Sequence, residues 1–307
     1  MLKSDSFDEI YFLLIDKLIN SFDYQSSPRG KKINELLCFS FCLTNPRNRL
    51  IHSKVRNVNY GFAVGELCWY LRGDKDLDTM LYYNKRMKQF SDDGKNINSA
   101  YGNRIFNSYS ENSQFDNVIK ELKKDNESRR AVIHINQPYD LMKAVSDSGS
   151  KDVPCTMSLQ FFIREKRLFM HVYMRSNDVM WGVPYDVFSF TCIQEAMLYR
   201  LIEEGIDVED VGHYYHTATS LHLYEDQYDN AVNILDDYKL NFSLDNICMY
   251  PFSIQLLRDL VEIEIEIRKD KSGQKFEYNK NLTIDHTINW MITKLTEHRE
   301  KRINESK

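Results

Sequence analysis

Hydrophobic positions along the chain change their period several times, and each change marks an element. Phe7, Ile10, Tyr11, Leu14 and Leu18 recur at the spacing of one helix face behind Ser6-Phe7-Asp8-Glu9, which has the form of a capping box. This predicts a first helix ending near Ser21. A polar turn over residues 26–30 follows, and the apolar, aromatic run Leu36–Leu43 predicts a buried strand. Phe62–Leu71 and Asp76–Met87 read as helices, and Asn96–Gly102 as a polar loop ending in Tyr-Gly. Ala131–Ile135, Ser158–Ile163 and Leu168–Met174 read as strands, with a Ser/Gly-rich loop over 146–151. Phe190, Ile193, Met197 and Leu201 share a face of a helix over 187–204, which Gly205 stops. Tyr214–Thr219 and Ser220–Tyr224 come next, and in the second His222 and Tyr224 lie two apart, on one face if it is a strand. Val261–Ile267 alternates strictly, a strand signal, although Ile254–Leu260 before it has a helical pattern. Ile284–Ile303 predicts a terminal amphipathic helix with a charged tail. Strands and helices alternate irregularly, with no repeat, low-complexity tract or linker. One α+β domain over 1–307 is the simplest architecture.

Composition narrows this picture. With 42% hydrophobic residues in 307, the chain can bury a large core, and 13% aromatics argue against disorder. A net charge of −5 and a pI near 5.9 weigh against a general nucleic-acid binder, so no stable nucleic-acid partner is expected. The cysteines Cys38, Cys42, Cys68, Cys155, Cys192 and Cys248 form no CxxC pair and no zinc-like spacing, so no metal is expected and a reducing compartment suits them. The N-terminus lacks a signal-like apolar region, and no apolar run reaches the roughly 20 residues of a membrane span. The expectation is a soluble, cytoplasmic protein.

Candidate chemistry concentrates in Met174–Asp186. Arg175 can fork onto an oxyanion, and Ser176, Asn177 and Asp178 supply donors and acceptors. Gly182 and Pro184 bend the chain, and Asp186 opens a helix, where it is either a ligand contact or an N-cap. Upstream, Pro154-Cys155-Thr156 offers a candidate nucleophile. This stretch reads as a pocket for an anionic, planar, hydrogen-bonding substrate. Elsewhere, Glu66 interrupts an apolar helix face and is either functional or at the helix edge in water. Arg29 in the polar turn, the pair Arg129-Arg130 and the pair His222/Tyr224 each have ordinary structural readings as well: surface charges for the arginines, core packing for the last two.

Together these pieces resemble the thymidylate synthase superfamily over roughly residues 1–230. Pro154-Cys155 matches the synthases' Pro-Cys nucleophile, Arg175-Ser176-Asn177-Asp178 their Arg-Ser-x-Asp motif, and His222-Leu223-Tyr224 their His-x-Tyr pair. Arg129-Arg130 matches a paired arginine that the family donates across a dimer interface, and Glu66 and Tyr101 fall at its general-base glutamate and active-site tyrosine. Thr156 replaces the usual histidine after the cysteine, and Asp186 stands where synthases place asparagine. Both changes resemble the deoxycytidylate (cytidylate) 5-hydroxymethylases of T-even phages. The synthases also end in a short apolar tail that closes over the folate, whereas residues 269–307 read as a divergent helical extension.

The resemblance implies a single-domain fold with a large mixed β-sheet, packed helices and a sheet-mediated homodimer. It implies 5,10-methylenetetrahydrofolate as one-carbon donor and a nucleoside monophosphate as substrate, with hydroxymethylated (d)CMP as product. The alternatives are a thymidylate synthase, a dUMP hydroxymethylase, or a nucleotide- or RNA-binding relic of the fold. By resemblance Cys155 attacks carbon 6, Glu66 and Tyr101 move protons, and Asp186 reads the base. Arg29, Arg129, Arg130 and Arg175 hold phosphate; Ser176, Asn177, Asp178, His222 and Tyr224 complete the nucleotide site; Asp178, Gly182 and Tyr185 line the folate surface. Arginines beside Cys155 would lower its pKa.

Overall fold

A computed structural model describes residues 1–107, 112–146, 149–241, 248–252, 254–278 and 285–305. Chain order is β1 (Leu2–Ser4), α1 (Phe7–Asn20), β2 (Tyr24–Ser26), β3 (Ile33–Leu43), α2 (Tyr60–Leu71), α3 (Leu77–Tyr83), α4 (Tyr101–Phe106), α5 (Gln114–Lys124), β4 (Val132–His134) and α6 (Pro138–Val145). It continues with β5 (Thr156–Arg164), β6 (Arg167–Met174), β7 (Asn177–Asp178), α7 (Val183–Glu203), β8 (Asp210–Tyr224), α8 (Tyr228–Asn241), α9 (Ile254–Lys269) and α10 (His286–Glu305).

One mixed sheet of eight strands carries the molecule, in the order β1-β3-β8-β6-β5-β4, with β2 on β3 and β7 on β8. The pairs β1/β3, β6/β8 and β7/β8 are parallel; β3/β8, β5/β6 and β4/β5 are antiparallel. The core lies under one face, where α1, α2 and α7 contribute Leu14, Val64, Leu67, Phe188 and Ile193, all buried. α7 is anchored by charge as well as by packing. Glu195, fully buried, accepts from Arg47 Nε at 2.7 Å and from Arg49 Nη2, while Arg49 Nη1 donates to Cys192 Sγ at 2.7 Å. A buried pair of this kind is costly to break from one side only. No helix among the described residues is long and apolar enough to cross a membrane.

Most of the elements read from the pattern are present, with corrections. Val261–Ile267 is not a strand; it lies within α9. The stripe that matters there is Leu257, Leu260, Glu264 and Ile267, three and four residues apart and buried. Glu264 is satisfied by Tyr83 Oη at 2.6 Å, Arg72 Nη1 at 2.6 Å and Arg268 Nε at 2.7 Å, which is why a carboxylate can sit in that stripe. The helix expected over Asp76–Met87 ends at Tyr83, where Asn84 caps a separate 3₁₀ turn over Lys85–Phe90 through Arg86 N–H. The Ser6–Glu9 capping box does not form: Ser6 makes no side-chain cap bond, and Glu9 accepts from Ser4 Oγ instead. The strand predicted at Leu36–Leu43 begins at Ile33 and leaves Leu37 and Cys38 exposed. The two runs ending at Tyr224 are one strand, β8. The expected terminal helix is α10, though its first residue, Ile284, and residues 147–148 of the Ser/Gly-rich loop lie outside the described residues. α10 packs on the back of α2, where a Cβ on Gly61 would lie 2.6 Å from His298 Cβ.

Candidate active site

The site gathers where β5, β7, β8 and the N-terminus of α7 meet α2 and α4. Cys155 directly precedes β5, which has a register irregularity between Thr156 and Ser158, the kind of bulge that re-aims a chain beside a site. Arg175 holds this segment. Its backbone N–H donates to Cys155 O at 2.9 Å, Nε to Pro154 O at 2.9 Å and Nη2 to Val153 O at 3.0 Å. Arg175 is otherwise exposed, and Cys155 is half-buried.

Arginines do act on Cys155 in the expected direction, but the net fall in its pKa that they were expected to produce is not found. Burial pushes the thiol up, and the charges of Arg175 and Arg29 only partly offset it, while Asp186 adds to the rise. Arg29 is exposed in a turn with φ of 54°, yet its charge reaches the thiol.

α2 supplies Glu66 and Tyr70, and α4 supplies Tyr101. Glu66 is buried, not at a wet helix edge, and its carboxyl is pushed up to about 8, first by burial, then by the charge of Asp186. Tyr70, a turn later, hydrogen-bonds it. Tyr101 does not lie in a loop, as the sequence pattern suggests, but begins α4. Its hydroxyl accepts from Thr156 N–H at 3.4 Å, and its ring lies 5.7 Å from Tyr70 and stacks at 6.1 Å on Phe190. Burial raises the Tyr101 hydroxyl's pKa.

Asp186 is not the N-cap of α7. The helix begins at Val183 with Gly182 at the cap, so Asp186 points from the first turn. It is half-buried, accepts from Asn177 Nδ2 at 2.7 Å, and burial lifts it to about 7. Asn177, read from sequence as a nucleotide contact, is buried and engaged within the protein: besides Asp186, its Oδ1 faces His216 Nε2 at 3.2 Å. Gly182 makes room for this pair, since a Cβ there would lie 2.7 Å from Asn177 Nδ2. Asp178 closes a turn by accepting from Met180 N–H at 2.7 Å and Trp181 N–H at 3.3 Å; burial raises its carboxyl and His222 pulls it back. Its neighbour Ser176 is half-buried. Tyr185 is buried edge-on against Phe62, 4.9 Å between centroids. His222 and Tyr224 sit edge to face at 5.1 Å at the end of β8.

Arg129 and Arg130 are exposed ahead of β4, and Arg130 pairs with Glu121 at 2.8 Å, so this chain's own contacts do not bring them to the site. Several residues that sequence reasoning passed over belong to it: Tyr70, Tyr214, His216, Trp181 and Arg56. Arg56 donates to Tyr11 Oη at 2.8 Å and to Met180 O. The signal for Tyr214 and His216 was their two-residue spacing on a buried strand face.

The profile of the thymidylate synthase family matches residues 15–251. A protein of Bacillus phage SP01 named deoxyuridylate hydroxymethyltransferase is 35% identical over 250 residues, 77% of this chain and 62% of that protein. One of the same name from Delftia phage PhiW-14 is 34% identical over 57% of this chain and 51% of its own. The chain thus spans between half and two thirds of the length of these two relatives. A thymidylate synthase of Mycoplasma genitalium is 27% identical over 60% of this chain and 69% of its own. Among solved structures, the thermostable thymidylate synthase A from Bacillus subtilis shares the fold with a TM-score of 0.60 at 20% identity, covering 75% of this chain and 84% of that one. The expected mixed α+β architecture, a large sheet with helices packed around it, is therefore the observed one, and because the family profile runs through every site element from α2 to β8, the chain belongs to the thymidylate synthase family.

Proposed function

We propose that the chain transfers a one-carbon unit to carbon 5 of a cytidine monophosphate and completes it with water, giving a 5-hydroxymethyl nucleotide. The observation that carries the base assignment is Asp186, a half-buried carboxyl titrating near neutrality where an amide would serve uracil. Cytosine offers a bare N3 and an amino group, and a carboxyl that shares a proton with N3 while accepting from the amino group complements both. Mispairing buried groups discriminates strongly against the wrong base.

In this reading Cys155, as thiolate, adds to carbon 6, which makes carbon 5 nucleophilic. Glu66 takes the carbon 5 proton once the new carbon bond has formed and would hand it on to the departing folate amine, whose bond to the transferred carbon breaks to leave a methylene on carbon 5. Water then adds to that methylene, with the Glu66 carboxylate so freed as its base, and Cys155 leaves as thiolate. Tyr101 and Tyr70 hold hydrogen bonds along that proton path. Arg29 and Arg175 bind phosphate, and His222 and Tyr224 bind the sugar hydroxyl. Arg129 and Arg130 would reach the phosphate of a second copy, which makes the working form a homodimer.

Enzymes of the family take their one-carbon unit from methylenetetrahydrofolate, which supplies carbon at the level of formaldehyde. The residues present fit such a group. Trp181 is 43% exposed, with the Arg86 guanidinium 4.1 Å from its ring centre, and the half-buried carboxylate of Asp178 lies beside it. A partly exposed aromatic ring, a carboxylate and a cation suit a flat hydrogen-bonding heterocycle with an acidic tail. Asp178, Gly182 and Tyr185 would hold it.

A second reading, uridylate hydroxymethylation, is favoured by the names of the two phage relatives. Incubation with methylenetetrahydrofolate and each of dCMP, CMP and dUMP, followed by mass analysis, separates the two. A gain of one CH₂O on a cytidylate supports the proposal; reaction of dUMP alone refutes the base assignment. Release of dihydrofolate would indicate methylation instead.

A further inference from the structure

Asp186 is the end of a buried hydrogen-bonded chain that no part of the proposed chemistry requires. Tyr214 Oη lies 2.9 Å from His216 Nδ1, His216 Nε2 lies 3.2 Å from Asn177 Oδ1, and Asn177 Nδ2 lies 2.7 Å from Asp186 Oδ2. Tyr214 and His216 are fully buried, and Asn177 nearly so. His216 is also pinned from the side, its ring stacked on Phe41 at 4.8 Å and 8°.

The polarity of this chain follows from its members. An ionised Asp186 can only accept, so Asn177 presents its NH₂ to Oδ2. That turns Asn177 Oδ1 toward His216, and because an amide oxygen only accepts, His216 Nε2 carries the hydrogen. Nδ1 is then bare and accepts from Tyr214. Burial holds His216 far down, at about 3, so it stays neutral and keeps this tautomer at working pH. Gly182 is part of the same device. A Cβ there would stand 2.7 Å from Asn177 Nδ2 and 3.3 Å from Asp186 Oδ2, inside the bond the chain ends on.

We propose that Asn177, oriented by His216 and Tyr214, is a positioning residue that occupies Oδ2 of Asp186 and so leaves Oδ1 as the one atom that holds and delivers a proton to the pyrimidine. The proposal rests on the reading that Asp186 contacts the base. A carboxyl free to rotate would offer either oxygen, protonated or bare, and would serve cytosine and uracil alike. One whose Oδ2 already accepts from Asn177 stays a bare acceptor there, with a second lone pair left for the amino group of cytosine, and offers its single donor at Oδ1. The proton on Oδ1 goes to N3 as electron density builds on the ring, and returns when the ring is restored, so no other reagent is consumed.

The test compares wild type, Asp186→Asn, Asn177→Ala and Tyr214→Phe, measuring kcat/KM for cytidylate and uridylate from pH 6 to 9. The groups whose charges act with Asp186 are Glu66 and Tyr70 from α2, Tyr101 from α4, Cys155 before β5 and Tyr214 from β8; all stay in place in Asn177→Ala. In Asn177→Ala the cytidylate-to-uridylate ratio should fall about tenfold, the worth of one charge-assisted hydrogen bond. The pH limb assigned to Asp186 should also move upward, because the donor that favours its charged form is gone. Tyr214→Phe keeps the packed ring and should shift both readouts in the same direction by a smaller factor, which decides the matter if Asn177→Ala does not fold. Equal losses for both nucleotides with an unmoved limb, in either folded variant, overturn the clamp. If Asp186→Asn itself leaves the ratio unchanged, the reading of Asp186 fails and the clamp falls with it; if Asp186→Asn moves the ratio and the other two do not, the clamp alone is wrong.

Discussion

A Cβ placed on Gly102 would lie 2.2 Å from both the Cα and the carbonyl oxygen of Tyr70. Backbone meets backbone there, and α4 rests directly on α2. That approach sets the Tyr101 ring beside Tyr70, and Tyr70 in turn bonds Glu66. The Tyr-Gly pair is therefore one unit: the glycine permits the approach that aims the tyrosine. Gly102→Ala should force the two helices apart, at a cost of about 1–3 kcal/mol or more. Turnover should fall further than stability alone explains. Thermal unfolding and kcat on the same preparation check this; a variant with unchanged kcat would show that the Tyr101 position is not set by this contact.

The pattern of the chain made most elements legible, because helix and strand periods are local. Glu66 stood out as a carboxylate on an apolar face, and Cys155 as the cysteine beside the polar stretch. What stayed hidden was relational. No local pattern ties Asn177 to Asp186, because the histidine that orients it comes from a different strand. The alternation in Val261–Ile267 misled because Glu264 in the buried stripe draws two of its partners, Arg72 just past α2 and Tyr83 of α3, from far away in sequence. The thiol of Cys155 was misjudged for a related reason. Charge neighbours can be read from a motif, but the depth of burial that outweighs them cannot.

Glu66 should leave a pH signature in stability. Its folded pKa of about 8 is raised above the ordinary value of 4.5, so the folded state holds a proton that the unfolded chain releases. Stability is then greatest below about pH 4.5 as far as this group is concerned, and is lost as pH rises through 8. A tenfold difference in acidity between folded and unfolded chain is worth about 1.4 kcal/mol, so Glu66→Gln should recover on the order of 2–4 kcal/mol at pH 8.5 relative to pH 5. Urea unfolding of both proteins at the two pH values measures it. Parallel stabilities across the range would mean that Glu66 ionises normally.

Cys155→Ala should abolish turnover and also the folate-dependent exchange of the carbon 5 hydrogen, while leaving nucleotide binding within a few-fold. Tritium release from labelled nucleotide, alongside calorimetric binding, reads both. Substantial residual exchange would end the covalent mechanism.

Arg129 and Arg130 should act in trans. Subunits carrying Arg130→Ala, mixed with subunits carrying Cys155→Ala, should regenerate activity that neither parent shows, because one hybrid site receives both intact groups. Sedimentation of the wild type as a strictly monomeric active enzyme would contradict the shared site.

The most direct measurement is the ratio of kcat/KM for cytidylate to that for uridylate in wild type and in Asp186→Asn. The two side chains are nearly equal in size, so the variant should fold and bind. An amide N–H can donate a hydrogen bond to N3 but is too weak an acid to hand its proton over, so cytidylate turnover should fall while uridylate turnover rises. Mispairing one buried group costs about 1–3 kcal/mol, so the ratio should drop by about one to two powers of ten. A wild type that already prefers uridylate, or a ratio that Asp186→Asn leaves unmoved, would contradict the assignment of Asp186 as the reader of cytosine.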